Sequence, residues 1–310
     1  MKECFTPKNF TEPATQMIKL INGILDAYRA QGYDLSLRQL YYQLVSRNIV
    51  PNTERSYKNV GVLVSDARLA GLIDWDMIKD RGRQMIENSH WETPADIVRS
   101  AARSFRIDRW EDQPNYVEVM VEKQALEGVL VPVCRALDVP FTANKGYSSS
   151  SAMYEASKRF IQRHEEGKQL YVLYLGDHDP SGIDMTRDVL DRLDLFVKVS
   201  TNREDEIGPN EEEAVIIRRL ALNMDQIEEL DPPENPAKIT DSRAQGYIAR
   251  FGTSSWELDA IEPTALAEIV RSAITSLLDT TLWDASGAKQ GKMKAELNKY
   301  ADDYGKNSAS

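Results

Sequence analysis

The sequence predicts an α/β protein in which a helical N-terminal module precedes a parallel sheet covered on both sides by helices, with a helical C-terminal extension. Three observations lead there. Apolar residues recur at helical spacing through roughly the first hundred positions. From Tyr116 to Val199, short runs rich in β-branched residues alternate with helical segments, the pattern of strands buried on both faces. A length of 310 residues gives room for two domains. The expected division is a helical domain over 1–112, a sheet domain with its extension over 113–285, and a polar tail over 286–310.

In the helical module, Met17, Ile18, Ile21, Ile24, Leu25 and Tyr28 share one face of a first helix that Gly32 ends. Ser36 is placed to N-cap a second helix, Leu37 to Arg47, whose apolar face includes Leu40, Tyr41, Leu44 and Val45. A third helix runs from about Thr53 to Ala70 and closes at Gly71. Short helices with brief turns, and Arg68, Arg81 and Arg83 at the far end, suit a helix-turn-helix or winged-helix DNA-binding module.

The run Tyr-Val-Glu-Val-Met-Val-Glu at 116–122 predicts the first buried strand. A helix over about 124–137, a short strand over 139–143 and a helix over 149–165 follow. Residues 169–175 form the clearest strand, with Leu-Tyr-Val-Leu-Tyr-Leu in a row. A helix near Ile183 to Leu193 and a strand over Phe196 to Val199 come next. Beyond them, Pro232, Pro233 and Pro236 break the chain after a helix ending near Leu230, and Glu262 to Asp279 reads as one long helix. The Lys-rich stretch from Ser286 reads as a frayed end.

Composition excludes several classes. No apolar run approaches the ~18 residues that span a bilayer, and MKECFTPKNF has no apolar stretch behind its lysines, so neither a membrane protein nor a signal peptide is expected. A cytoplasmic location is the default expectation. Cys4 and Cys134 are the only cysteines, read as isolated thiols, with Cys134 on the buried face of a helix. His90, His164 and His178 are scattered and do not suggest a histidine-rich metal site. The net charge of −11 is unevenly spread: residues 1–115 carry 16 Lys and Arg against 15 Asp and Glu, and the remainder carries 22 against 34. The acidic stretch from Glu204 to Glu213 reads as a solvated loop. DNA contact depends on local basic patches, so the overall sum does not exclude it.

Function in open parallel sheets gathers at the carboxyl ends of the strands. Glu122 closes the first strand, and Asp177 and Asp179 follow the third. Asp-x-Asp in a tight loop shaped by Pro180 and Gly182 projects two carboxylates to one side, and a glutamate from a neighbouring strand end completes an all-oxygen set of the kind Mg²⁺ prefers. On pattern alone these acids read equally as loop residues and N-caps.

Glu122 after an apolar strand, followed by Asp177-x-Asp179-Pro180-x-Gly182, resembles the Toprim domain of topoisomerases, primases and related nucleases. Val121-Glu122-Lys123-x-Ala125 and Asp177-x-Asp179-Pro180-x-Gly182-Ile183-Asp184 are similar to the motifs of the topoisomerase VI A subunit and Spo11 group. Gly146-Tyr147 resembles an intervening motif of that group, with Ser148 and Ser149 in place of its Pro-Asp. The resemblance covers about residues 115–200. It implies a Toprim sheet domain behind a winged-helix domain, Mg²⁺ or Mn²⁺ held by Glu122, Asp177 and Asp179, DNA as partner and substrate, and a homodimer.

That group uses a tyrosine following an arginine in a winged-helix helix, and Arg38-Gln-Leu-Tyr41-Tyr42 matches it with Tyr42 as the covalent nucleophile. A phenol with a free pKa near ~10 needs activation by metal or a cation such as Arg38. A tyrosine pair on an amphipathic helix also reads as core packing. Arg38, Arg47, Arg55, Lys58, Arg68, Arg81, Arg83 and Lys123 are the candidate DNA contacts. Glu257 and Asp259 read either as reaching the metal site or holding a subunit contact, or as solvent-facing acids beside packed Trp256 and Leu258, the reading preferred here.

Three functions are compatible: DNA cleavage through Tyr42 and a metal, a nuclease using metal-activated water with Tyr42 structural, and a DNA-binding regulator without turnover. No G-x-x-x-x-G-K-[ST] phosphate loop is present, so an ATP-driven strand-passage cycle requires a separate ATPase subunit.

Overall fold

The computed structural model describes residues 2–79, 88–144, 149–201, 213–238 and 240–307. It is a mixed α/β fold with eleven α-helices and a four-stranded parallel sheet among those residues. The helical module forms as its sequence directs. Helix α1 (Glu12–Ala30) ends where Gly32 takes a φ of 82°. Helix α2 (Leu37–Ser46) starts with a full capping box between Ser36 and Gln39, and α3 (Glu54–Leu69) starts on Thr53 and ends before Gly71, φ 72°. Their apolar faces build one core with Ile73, Met77 and Ile78. No wing is seen among the described residues, and Arg81 and Arg83 lie outside them.

Helix α4 (Pro94–Ser104) leaves this module. It packs on the C-terminal helix α11 (Thr280–Asn307), so the stretch expected to fray is part of a 28-residue helix. Arg109 ties the pairing together: its guanidinium lies 3.3 Å from the centre of the Trp283 ring and donates to the Trp283 carbonyl at 2.7 Å. The Ile107 amide donates to Gln290 Oε1 at 3.0 Å, and Ala301 is wholly buried.

The sheet comprises β1 (Asn115–Val121), β2 (Phe141–Ala143), β3 (Gln169–Leu175) and β4 (Val215–Ala221) in the order β2-β1-β3-β4. Period-two alternation sends Val117, Val119, Val121, Leu173 and Leu175 to one face. There they meet α5 (Glu127–Ala136), including buried Cys134, and α10 (Pro263–Thr275). Met120, Leu170, Val172 and Tyr174 face α6 (Ser150–Glu165) and α7 (Pro180–Ser200). The wholly buried Glu118 on that face is satisfied by Arg159, at 2.7 and 2.8 Å, and by the Tyr116 hydroxyl at 2.6 Å.

Two sequence expectations need correction here. Phe196 to Val199 is not a strand: α7 runs on through it, because Met185, Val189, Leu193 and Val197 continue one buried stripe at four-residue spacing. The fourth strand is instead β4, Val-Ile-Ile-Arg-Arg-Leu-Ala, where Arg218 and Arg219 interrupt the apolar run that marks buried strands. After α8 (Met224–Leu230), the short strands β5 (Glu234–Pro236) and β6 (Ser254–Trp256) flank α9 (Ala244–Phe251) and pair antiparallel. No described helix is long and apolar enough to cross a membrane.

A chain ending at Ala285 loses the Gln290 contact, the Arg109–Ser286 contact and the cover over α4. It is expected to melt about 5 °C or more below the full chain and to be cut by protease within 94–104. Unchanged melting and protection would show that α11 contributes nothing to α4.

Candidate functional site

The parallel register of β1 and β3 pairs Val121 with Leu175, which sets Glu122 opposite Gly176 at the carboxyl edge of the sheet. Glu122 Oε2 accepts the Asp177 amide at 3.0 Å. Gly176 permits that approach, since a Cβ there would stand 3.0 Å from both Glu122 Oε2 and the Tyr174 ring. Glu122 is 8% exposed and Asp177 6%. Burial, with Asp177 and Asp179 adding like charge, pushes the Glu122 carboxyl up to about 7. Burial also raises Asp177, against the pull of Lys123.

The loop carrying the two aspartates is held from several sides. Asp179 caps α7, its Oδ1 accepting from the Gly182 amide at 2.6 Å and the Ser181 hydroxyl at 2.8 Å. Gly182 is required by contact: a Cβ there would lie 2.2 Å from the Asp177 carbonyl oxygen. Arg219, from β4, donates to the carbonyls of Gly176, Asp177 and Gly182 at 3.0, 2.6 and 3.0 Å. His178 exchanges backbone hydrogen bonds with Trp256, at 2.9 and 3.0 Å, and packs edge-on against Phe251. Its Nδ1 lies 2.7 Å from the Tyr247 hydroxyl, and burial lowers the imidazole to about 4, so it is neutral near pH 7.

The His178–Trp256 pairing carries the following residues into the site. The Leu258 amide donates to Asp177 Oδ1 at 2.8 Å, and Glu257 and Asp259 turn inward. Lys123 Nζ lies 2.7 Å from Asp177 Oδ2, 3.0 Å from Glu257 Oε2 and 3.4 Å from Asp259 Oδ2. Arg38, from α2, pairs with Glu257 and reaches Asp259 Oδ2 at 3.3 Å. Burial opposes ionisation of Glu257, but Lys123 and Arg38 outweigh it and hold the carboxyl below its usual range. Burial likewise opposes the charge on Lys123, and Asp177, Asp259 and Glu257 more than reverse that. The preferred reading of Glu257 and Asp259 as solvent-facing acids is therefore wrong: Asp259 is 1% exposed. Spacing in the sequence could not reveal this, because 135 positions separate Lys123 from Leu258 and the His178–Trp256 bridge that brings the stretches together is itself a tertiary contact.

Tyr42 belongs to the same network through Arg38, whose guanidinium lies 5.9 Å from its ring centre. The phenol is 4% exposed. Desolvation and the Glu257 charge raise it above the ordinary tyrosine value, with Arg38 and Asn235 partly opposing. Tyr41 is structural: its hydroxyl accepts the Thr53 amide at 2.8 Å and lies 3.1 to 3.2 Å from three oxygens of the 51–53 turn.

The expected DNA contacts divide. Lys123 and Arg38 are committed to acids, and Arg68 donates to the Trp75 and Ile78 carbonyls, so none of the three presents a free cation in this arrangement. Lys58 pairs with Glu54 on the surface, and Arg47 and Arg55 are exposed. Gly146, Tyr147 and Ser148, like the acidic residues from Glu204 to Glu212, lie outside the described residues.

Among the described residues, no three His, Cys, Asp or Glu side chains are already gathered as a metal cage. At the sheet edge Lys123 holds Asp177 Oδ2, and the start of α7 holds Asp179 Oδ1. The donor chemistry still fits a hard divalent cation. It is oxygen-only, and Glu122 is buried with Asp177 and Asp179 close enough for their charges to add to the burial that raises it. No protein-family model matches the chain, and no curated protein matches it.

Two outcomes follow. Because the folded Glu122 value lies above the ordinary 4.5, its contribution to stability is complete below about 4.5 and is lost as pH rises through about 7. Without divalent ions, the wild-type melting temperature is expected to fall from about pH 5 to about pH 8 more steeply than that of Glu122→Gln. Equal slopes would refute this. Gly182→Ala is expected to cost about 1–3 kcal/mol in a urea melt through overpacking against Asp177, and a neutral result would mean that the loop has room to shift.

Proposed function

We propose that this chain is a divalent-metal-dependent DNA-cleaving enzyme of the Toprim, topoisomerase VI A-like type, with the ion at Glu122, Asp177 and Asp179. One observation supports it most: Glu122 and the Asp177 loop meet at the carboxyl ends of adjacent parallel strands, with the Glu122 carboxyl pushed up to about 7. Mg²⁺ or Mn²⁺ bound there would polarise a phosphoryl oxygen and activate the attacking group. DNA as the substrate rests on the motif resemblance. So do the homodimer, the winged-helix character of the N-terminal module, and the need for a separate ATPase subunit in any strand passage. Among the described candidates of the module, Arg47 and Arg55 are exposed and available for phosphate contact.

The chain's own residues have definable parts. Arg219 and Gly182 hold the aspartate loop in shape. Lys123 and Arg38 pair with Glu257 and Asp259 and hold them beside Asp177, and both cations favour the ionised Glu257. A water nucleophile is favoured over Tyr42, because the tyrosine phenol is buried and harder to ionise than a free one. Tyr42 as covalent nucleophile is the second reading, carried by its match to the Arg-x-x-Tyr-Tyr pattern and its contact with Arg38.

The test is supercoiled plasmid with Mg²⁺ or Mn²⁺, comparing wild type with Glu122→Ala, Asp177→Ala and Tyr42→Phe on denaturing gels with and without protease. The expected result is metal-dependent nicking that falls by 10²-fold or more in the two acid variants, an order of magnitude set by loss of metal-assisted charge stabilisation, and survives in Tyr42→Phe. Loss of cleavage in Tyr42→Phe, with protease-released DNA in wild type, would establish the covalent route. Salt-sensitive DNA binding without any cleavage would favour a regulator.

A further inference from the structure

We infer that Lys123 occupies a second cation position in the acidic centre, so that the centre takes one divalent ion and carries a built-in ammonium in place of another. This rests on the metal reading of Glu122, Asp177 and Asp179 and extends it, by assigning Lys123, Glu257 and Asp259. Carboxylate oxygens from two separate stretches of chain converge on one nitrogen: Asp177 Oδ2 at 2.7 Å, Glu257 Oε2 at 3.0 Å and Asp259 Oδ2 at 3.4 Å. Those separations suit an ammonium, whose charge-assisted contacts fall near 2.7–2.9 Å at their shortest. A magnesium ion would need its oxygens at about 2.0–2.1 Å.

A second feature points to a cation at the same place. Asp259 is 1% exposed, and neither of its carboxylate oxygens has a hydrogen-bond partner. Its charged neighbours are Lys123 and Arg38, at 3.4 and 3.3 Å. A carboxylate so placed is tolerated only beside compensating positive charge. Lys123 follows Glu122 directly, so the chain that delivers the first acid also delivers the ammonium. Its side chain is 18% exposed, and swinging out would leave Asp259 with Arg38 alone. Arg38 closes the far side from the helical module. The result is a centre in which an ammonium is covalently fixed among the acids and one position, beside Glu122, is left for an exchangeable ion.

The experiment is a Mn²⁺ titration of the full chain by calorimetry and electron paramagnetic resonance, on wild type, Lys123→Arg, Lys123→Met and Lys123→Met combined with Glu122→Gln. Wild type and Lys123→Arg are expected to bind one ion. Lys123→Met is expected to bind two, with the first about ten-fold tighter once the competing ammonium is gone. The double variant is expected to keep one. Two ions in wild type, or an unchanged count and affinity in Lys123→Met, would overturn the inference. No ion in wild type but one in Lys123→Met would overturn the metal reading of the Glu122 centre while leaving the lysine's position supported, and no ion in either would overturn both. Circular dichroism checks that Lys123→Met folds. If it does not, the wild-type count decides together with the ¹⁵N ammonium resonance of Lys123, expected to persist at saturating Mg²⁺. Its loss on Mg²⁺ binding would mean that the ion displaces the lysine.

Discussion

Burying an ionised carboxylate costs several kcal/mol unless cations or hydrogen-bond donors come with it, and this chain buries Glu122, Asp177 and Asp259 close together. Much of the surrounding structure answers that cost. Asp177 has an ammonium on one oxygen and the Leu258 amide on the other. Asp259 lies between Lys123 and Arg38. Glu122 accepts the Asp177 amide, and burial beside Asp177 and Asp179 raises its carboxyl to about 7, as burial also raises Asp177. The compensation is least complete where Glu122 and Asp177 meet at the sheet edge.

The scaffold under this charge is rigid for identifiable reasons. Parallel pairing over all seven residues of β1 and β3 leaves little freedom in where Glu122 meets Gly176. Two glycines are set by close approach, Gly176 against Glu122 and Gly182 against the Asp177 carbonyl. Arg219 gathers three carbonyls of the same loop, satisfying acceptors that burial would otherwise strand. His178, between the two aspartates, packs into an aromatic cluster with Tyr247 and Phe251. That anchors the loop and carries Glu257 and Asp259 to it.

The helical module and the sheet domain meet around this same centre. Ala260 is part of the helical module's core, Arg38 reaches across to Glu257, and the Tyr28 hydroxyl donates to Glu262 at the start of α10. The Asn52 amide reaches the carbonyl of Glu234 at 3.1 Å, adding a contact with β5. Arg38 thus links the module to Glu257, and Glu257 in turn to Lys123. Tyr42 lies on that route through Arg38, with its phenol held in a setting that disfavours ionisation.

Local physics made much of the fold readable from the sequence. The cap at Ser36, the stops at Gly32 and Gly71, and the apolar runs of β1 and β3 all depend on residues a few positions apart, and all appear where the sequence indicates; Thr53 and Ser149, read as helix starts, prove to be the caps just before them. The three acids at strand ends were legible for the same reason, since strand period and loop chemistry are local. Tertiary structure decided what depends on distant residues. Arg218 and Arg219 disguise β4, although Arg219 has its partners across the sheet. Val197 counts as helix because its partners lie in the core on one face of the sheet. The pairing of α4 with α11, and the arrival of Glu257 and Asp259 beside Lys123, join stretches more than a hundred residues apart. Hydrophobic period and capping specify an element, whereas charge compensation inside a buried site is settled only when the whole chain has closed around it.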